Sequence, residues 1–168
     1  DSNILIEGLN DSKKLSEKKR AALDIEIREK AIAYKIIYIY PKEIDEINIY
    51  QASKKAMIEA ILNLEPKPSF VLSDAMPLVE LGIPFESIIK GDSKSATIAA
   101  ASIIAKVERD NYMVEMSKKY PEYGFEKHKG YPTKQHIEAL NKYGVLEIHR
   151  KSYKPVSDKL NKQLHLEI

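Results

Sequence analysis

Phe70-Val71-Leu72-Ser73-Asp74, followed by Phe85-Glu86-Ser87-Ile88-Ile89-Lys90-Gly91-Asp92-Ser93-Lys94-Ser95, decides how this chain folds. Each half opens on a short apolar run and closes on an acid. The two runs read as strands over about 69–74 and 85–89. Pro77 to Pro84 between them reads as loop or turn. A long helix is expected from about Ser93 through Ala96–Ala105 towards Lys119, ended by Pro121. Strands that alternate with helices indicate an α/β fold.

Outward from this centre, Pro66-Lys67-Pro68 breaks a helix of about 49–64 whose core side would be Ala52, Ala56, Met57, Ile58, Ile61 and Leu62. A short helix is expected over Pro41–Ile47. Tyr34–Tyr40 is β-branched and aromatic and stops at Pro41, so it reads as a third strand. Ser16 would cap a helix running to about Ala31, with Leu15, Ala22, Ile25 and Ile27 on its apolar face. Downstream, Gly124, Gly130 and Pro132 mark an exposed loop, followed by helices over Thr133–Tyr143 and Val156–Leu164. Three strands are few for four or five helices, so either strands are hidden or the sheet lacks a part. The expected organisation is one domain over 1–168, of which about 120–168 is a helical, basic C-terminal part.

The chain has 168 residues, 43% hydrophobic and 31% charged, as a soluble globular protein does. Disordered and collagen-like classes are excluded. The longest apolar stretches, Ala33–Tyr40 and Ala96–Ala105, fall short of the ~18–20 residues of a membrane span. The start lacks the basic and apolar regions of a signal peptide. There is no cysteine, which excludes disulfides, thiol nucleophiles and Cys-bound zinc and makes a reducing cytoplasm the default compartment. The net charge of +2 is uninformative, but its distribution is not. Lys13, Lys14, Lys18, Lys19 and Arg20 cluster early, and Lys127–Lys154 is basic and holds His128, His136 and His149. Such clusters are either phosphate-facing patches or solvated charged faces.

Asp74 and Asp92 stand at strand ends, which converge on one crevice in an α/β sheet. Two carboxylates there would repel by ~4 kcal/mol at ~4 Å and an effective dielectric of ~20, and so call for a cation between them or a shifted pKa. Hard oxygen ligands favour magnesium or manganese. The alternatives are an N-cap role for Asp92 and a turn role for Asp74. Lys94 stands at a helix start, where backbone N–H groups attract phosphate. Tyr131, among Lys129 and its neighbours, would stack on a base or sugar, or else plug the core. The histidine spacings make no metal site, and His149-Arg150 reads as a phosphate clamp or a helix cap.

Taken in order, several stretches resemble type 2 ribonuclease H, the bacterial ribonuclease HII family. They are Gly8–Ser16, Glu43–Ile49, Val71–Met76, Lys90–Ser95, Ile98–Val107 with Arg109-Asp110, Tyr120-Pro121 to Phe125, His128–Tyr131 with Thr133, and Ile148–Ser152. The resemblance implies a ribonuclease H-like mixed sheet flanked by helices. It also implies a magnesium- or manganese-dependent endonuclease with two divalent ions. Its substrates would be RNA–DNA hybrids and duplex DNA with embedded ribonucleotides, cut 5′ of the ribonucleotide. By the same resemblance Asp74 and Asp92 are the third and fourth metal-binding carboxylates. Tyr131 packs on the deoxyribose 3′ of the ribonucleotide, and Lys13, Lys14 and Lys94 lie along the phosphate track.

The family opens with a strand bearing an Asp-Glu pair, a Gly-Arg-Gly turn and a second apolar strand, and the chain begins at Asp1-Ser2-Asn3 where that hairpin would end. Glu7 is misplaced to substitute for the pair. Pro132 and Val145-Leu146-Glu147 are smaller departures. The expectation is therefore an N-terminally incomplete sequence lacking its first two strands, monomeric and inactive by itself. The rival expectations are a non-catalytic hybrid-binding remnant and an unrelated metal enzyme acting on a small phosphorylated substrate.

Overall fold

The structure, a computed structural model, describes residues 5–164, with side chains through Asn161. Asp1-Ser2-Asn3, where the resemblance departs from the family, lie outside the described residues. The chain divides into two compact units. The first comprises residues up to Tyr38 together with Lys54–Glu108, and the second Ile39–Ser53 together with the residues from Arg109 onward.

In the first unit, α1 spans Glu17–Lys30. Ser16 is its N-cap, and its Oγ accepts from the Lys19 N–H at 3.3 Å. Glu17 in the first turn and Arg28 and Lys30 in the last oppose the helix dipole favourably. The buried stripe is Leu23 and Ile27, one helical turn apart, packed on Ile103 and Ile104. Leu15 joins this core, but Ala22 and Ile25, expected on the apolar face, are exposed. Four-residue spacing lets Leu23 and Ile27 reach one neighbour together, and Ile25 falls on the opposite side of that turn.

Tyr34–Tyr40 is not a strand. Ile36 packs on the Leu23–Ile103 core, while Tyr34 and Tyr38 are held through their side chains. Arg28 lies over the Tyr34 ring at 5.0 Å, and the Tyr38 hydroxyl donates to Glu108 Oε1 at 2.5 Å. β-propensity records fit against a neighbouring strand, and no described strand lies alongside.

The latter part of α2 (Pro41–Leu62) sets Met57, Ile58 and Ile61 on a second core of Val71, Met76, Leu78 and Leu81. Leu62, expected inside, is exposed. β1 (Val71–Asp74) and β2 (Phe85–Ile88) pair in parallel, Val71 opposite Phe85 and Asp74 opposite Ile88. Among the described residues the sheet is this pair, and it is parallel. The fold is α/β, mostly helical. The loop between the strands carries a 3-10 turn, Val79–Leu81, and buries Leu78 and Leu81. The long helix, α3, runs Ala96–Lys119 and stops before Pro121 as expected.

In the second unit, α2 kinks at Asn48 (φ 68°, ψ 165°). Asn48 Oδ1 accepts from the Gln51 N–H at 3.1 Å and restarts the helix, which accounts for the expected short-then-long pair. Met113 of α3 packs with Tyr123, Phe125 and Ala139. The expected exposed loop at 124–132 is instead half core. A single turn, α4 (Phe125–His128), lies between left-handed Gly124 and Lys129 and buries Phe125 and His128. α5 (Lys134–Tyr143) is capped by Thr133, and α6 spans Lys154–Leu164.

Candidate functional site

β1 ends on Asp74 because the residue before it is anchored inward. Ser73 is buried, its Oγ donating to the Met76 carbonyl and sharing a 3.0 Å hydrogen bond with Ser87 Oγ. Strand alternation then turns Asp74 outward, where it is exposed. Past the end of β2, Lys90 adopts a left-handed conformation (φ 57°) and brings in Gly91. The Gly91 N–H donates to Asp74 Oδ1 at 2.8 Å. Asp92 is the next residue, so the backbone carries both acids to the same end of the parallel pair.

The N-cap role weighed for Asp92 belongs to Ser95. Its Oγ accepts from the Ile98 N–H at 3.4 Å and its carbonyl from the Ala99 N–H at 2.9 Å. Asp92 sits earlier, in a separate 3-10 turn over Gly91–Ser93. Gly91 itself is required by crowding. A Cβ there would lie 2.5 Å from Ile98 Cδ1 and 3.4 Å from Asp74 Cα. Gly91→Ala is expected to destabilise the fold by about 1–3 kcal/mol, because buried Ile98 must leave its rotamer, and to displace the turn that carries Asp92. Chemical denaturation reads the first effect, and an unchanged midpoint would contradict it.

Lys94 is exposed and its N–H closes the 3-10 turn on the Gly91 carbonyl at 3.0 Å. Lys13 and Lys14 are exposed on a turn built by Asp11, whose side chain accepts from the Lys13 N–H and whose carbonyl accepts from the Lys14 N–H, both at 2.9 Å. Arg20 braces that turn by donating to the Ser12 and Leu15 carbonyls.

Tyr131 belongs to the second unit and is 59% exposed, which rules out the core-plug alternative. Its N–H donates to the His128 carbonyl at 2.8 Å. Its own carbonyl accepts from the Thr133 N–H at 2.8 Å and faces His136 Nδ1 at 3.0 Å. His149 is neither a phosphate clamp nor a helix cap. It is buried, with Nε2 3.1 Å from His136 Nε2 and Nδ1 accepting from the Leu146 N–H at 2.9 Å. Burial, and then the neighbouring His136, push His149 down to about 4, and burial lowers His136 as well. Arg150 instead stacks on Tyr153 at 4.3 Å. Asp45 fastens the next residues, accepting from the Lys151 N–H at 2.8 Å and the Ser152 N–H at 2.9 Å. Burial opposes its charge, but these bonds and that from the Ser152 hydroxyl outweigh it and hold the carboxyl below its ordinary range.

The family model described as Ribonuclease HII matches residues 2–156. The chain belongs to the ribonuclease HII family. It is 58% identical over 159 residues to a ribonuclease HII of Bacillus cytotoxicus, covering 95% of this chain and 61% of that one. A ribonuclease HII of Bacillus cereus is 59% identical over 160 residues, with 95% and 62% covered. The chain thus spans about three fifths of the length of the curated relatives it matches. Among solved structures, the ribonuclease H2 of Pyrococcus horikoshii OT3 superposes with a TM-score of 0.79 at 26% identity, over 92% of this chain and 81% of that one.

Of the residues singled out by the ribonuclease HII resemblance, the structure joins Asp74 and Asp92 through Gly91 and places Lys94 just beyond them. Among the described residues no three Asp, Glu or His side chains gather to hold an ion. By donor chemistry alone, Asp74 and Asp92 are the hard carboxylate ligands that a hydrated magnesium or manganese ion takes one or two at a time, phosphate and water completing its shell. Sequence reading missed Gly91, Ser73 and the histidine chain. A glycine beside a strand-end acid was a usable signal for the first; nothing in the spacing of 128, 136 and 149 signalled the last. Among the described residues no helix is long and apolar enough to cross a membrane.

Proposed function

We propose that this chain carries the downstream carboxylates and the junction-sensing tyrosine of a metal-dependent endoribonuclease. The enzyme cleaves the RNA strand of RNA–DNA hybrids and incises 5′ of ribonucleotides embedded in duplex DNA. The observation that carries the reading is the Gly91 N–H bond to Asp74 Oδ1, which brings the two acids to one strand end. Asp74 and Asp92 would hold the divalent ions, magnesium or manganese. Two such ions, when bound, activate the attacking water and neutralise charge on the attacking and leaving oxygens of a phosphodiester. Lys13, Lys14 and Lys94 bind phosphates along the duplex, which orients the scissile bond without reading sequence. Tyr131 offers an exposed ring to the sugar beside the ribonucleotide. The product strands would carry a 3′-hydroxyl and a 5′-phosphate.

Among the described residues no third acid joins Asp74 and Asp92, and two carboxylates hold too little negative charge for two ions, so the chain by itself is expected to bind duplex without cutting it. The test uses duplex DNA with one ribonucleotide, in magnesium or manganese, with the chain alone and with the chain joined to the opening hairpin of a Bacillus ribonuclease HII. Binding that weakens steeply with salt, no turnover alone and turnover when joined are the expected results. Robust cutting by the chain alone contradicts the inactivity. The lack of a three-ligand cluster among the described residues also favours a second reading, a non-catalytic hybrid-binding protein. Absence of turnover in the joined form decides for it.

A further inference from the structure

Beneath Tyr131 lie three buried histidines with one neutral proton arrangement, His136 hydrogen-bonded to His149 and His128 stacked on His136. The Tyr131 carbonyl can only accept, so His136 Nδ1 carries a proton and donates across 3.0 Å. Neutral His136 then has an accepting Nε2, so the proton between the two facing nitrogens, 3.1 Å apart, sits on His149 Nε2. That leaves His149 Nδ1 as an acceptor, and the Leu146 N–H is aimed at it from 2.9 Å. His128 is fixed by the same logic. Its Nε2–H donates to the Tyr123 carbonyl at 2.8 Å and its Nδ1 accepts from the Gly130 N–H at 3.2 Å.

The rings of His128 and His136 stack at 4.5 Å and 12°. Together they grip the Gly130 N–H and the Tyr131 carbonyl, on either side of the Tyr131 N–H. The segment they grip includes Lys129 in a left-handed conformation (φ 50°) that its Cβ disfavours, next to Gly130 (φ 82°), which adopts it freely. A core-filling side chain would supply neither bond.

We infer that His136, its tautomer set by His149, is a positioning residue that fixes the Tyr131 backbone and thereby aims the exposed ring at the sugar of a bound duplex. This rests on the reading of Tyr131 as a duplex contact.

Two-bond proton–nitrogen correlation spectra of the histidine-labelled chain near neutral pH test the tautomers. The expected result is Nδ1–H for His136 and Nε2–H for His128 and His149. Fluorescence anisotropy with duplex DNA holding one ribonucleotide tests the role. Tyr131→Ala is expected to bind about tenfold more weakly, the scale of one lost stacking contact. His136→Leu should lose as much, and the double variant no more than Tyr131→Ala alone. His136→Asn returns an N–H donor near the place of Nδ1 and should recover most of the affinity. Where His136→Leu fails to fold by circular dichroism, His149→Leu makes the same comparison, with His149→Gln as its rescue. An Nε2–H tautomer at His136, parent affinity in His136→Leu, or losses that multiply in the double variant overturn the inference while leaving Tyr131 as a duplex contact. Parent affinity in Tyr131→Ala, or no binding by the chain at all, overturns the contact itself and the positioning role with it, whatever the tautomers.

Discussion

Asp92→Asn, made in the chain joined to the family's opening hairpin, is expected to lower metal-dependent cleavage by at least about 10³-fold, the scale of losing charge stabilisation at a reacting phosphate. Asparagine keeps the size of the side chain and removes its charge, so the loss falls on ion binding and on the developing oxyanions. The fold should be indifferent. The helix cap is Ser95, and the bond that brings the turn to β1 runs from the Gly91 backbone. Stability is therefore expected to change by no more than about 0.5 kcal/mol, as at ordinary surface positions. Single-turnover cleavage of a duplex with one ribonucleotide and a parallel urea titration measure the two effects. Asp74→Asn should behave similarly, because its amide oxygen can still accept from Gly91. Turnover near the parent rate in Asp92→Asn would remove Asp92 from the ion site.

The second large effect is on stability in mild acid. An unfolded histidine titrates near 6.5, whereas His149 is held down to about 4 by burial and by His136. Above pH 6.5 the ring is neutral in both states and its contribution is whole. Between 6.5 and about 4 the unfolded chain takes up a proton that the folded ring refuses, so stability falls as pH falls. One pKa unit is worth about 1.4 kcal/mol, which gives about 3 kcal/mol over the window. His136, also lowered, adds in the same direction. Glu108, held low by the Tyr38 hydroxyl and Arg28, and Asp45, held low by Ser152 and Lys151 against the opposing effect of burial, act through carboxylates. Their stabilisation is lost as pH falls further, through their folded pKa values. Urea unfolding from pH 7.5 to 4.5 measures the slope. His149→Gln, which keeps an N–H for His136 and cannot titrate, should flatten it. A parent whose stability is level between pH 7 and 5 would show that the ring is not buried neutral.

What could be read locally was read well. The Ser16 cap, the helix that follows Thr133, the stop before Pro121, the break at Pro66-Lys67-Pro68 and the two strands at 71–74 and 85–88 are all present. Each depends on a few neighbouring residues or on a run of β-branched side chains. The acids at the strand ends were legible for the same reason: a parallel pair carries both strand ends to one side. Tyr34–Tyr40 misled because a β-like run becomes a strand only beside a partner. The supposed loop at 124–132 misled because glycines mark turns without saying whether Phe125 or His128 packs inside one.

By itself, then, the order of residues settled the fold class, the family resemblance and the candidate acids, since these depend on local propensity and on motifs in sequence. Folding in three dimensions decided the rest. It gave the capping role to Ser95 instead of Asp92 and closed Gly91 onto Asp74. It also drew His128, His136 and His149 out of scattered positions into one buried cluster under Tyr131. Those outcomes hang on contacts between distant segments, where burial and hydrogen-bond direction, not spacing, determine what a side chain can do.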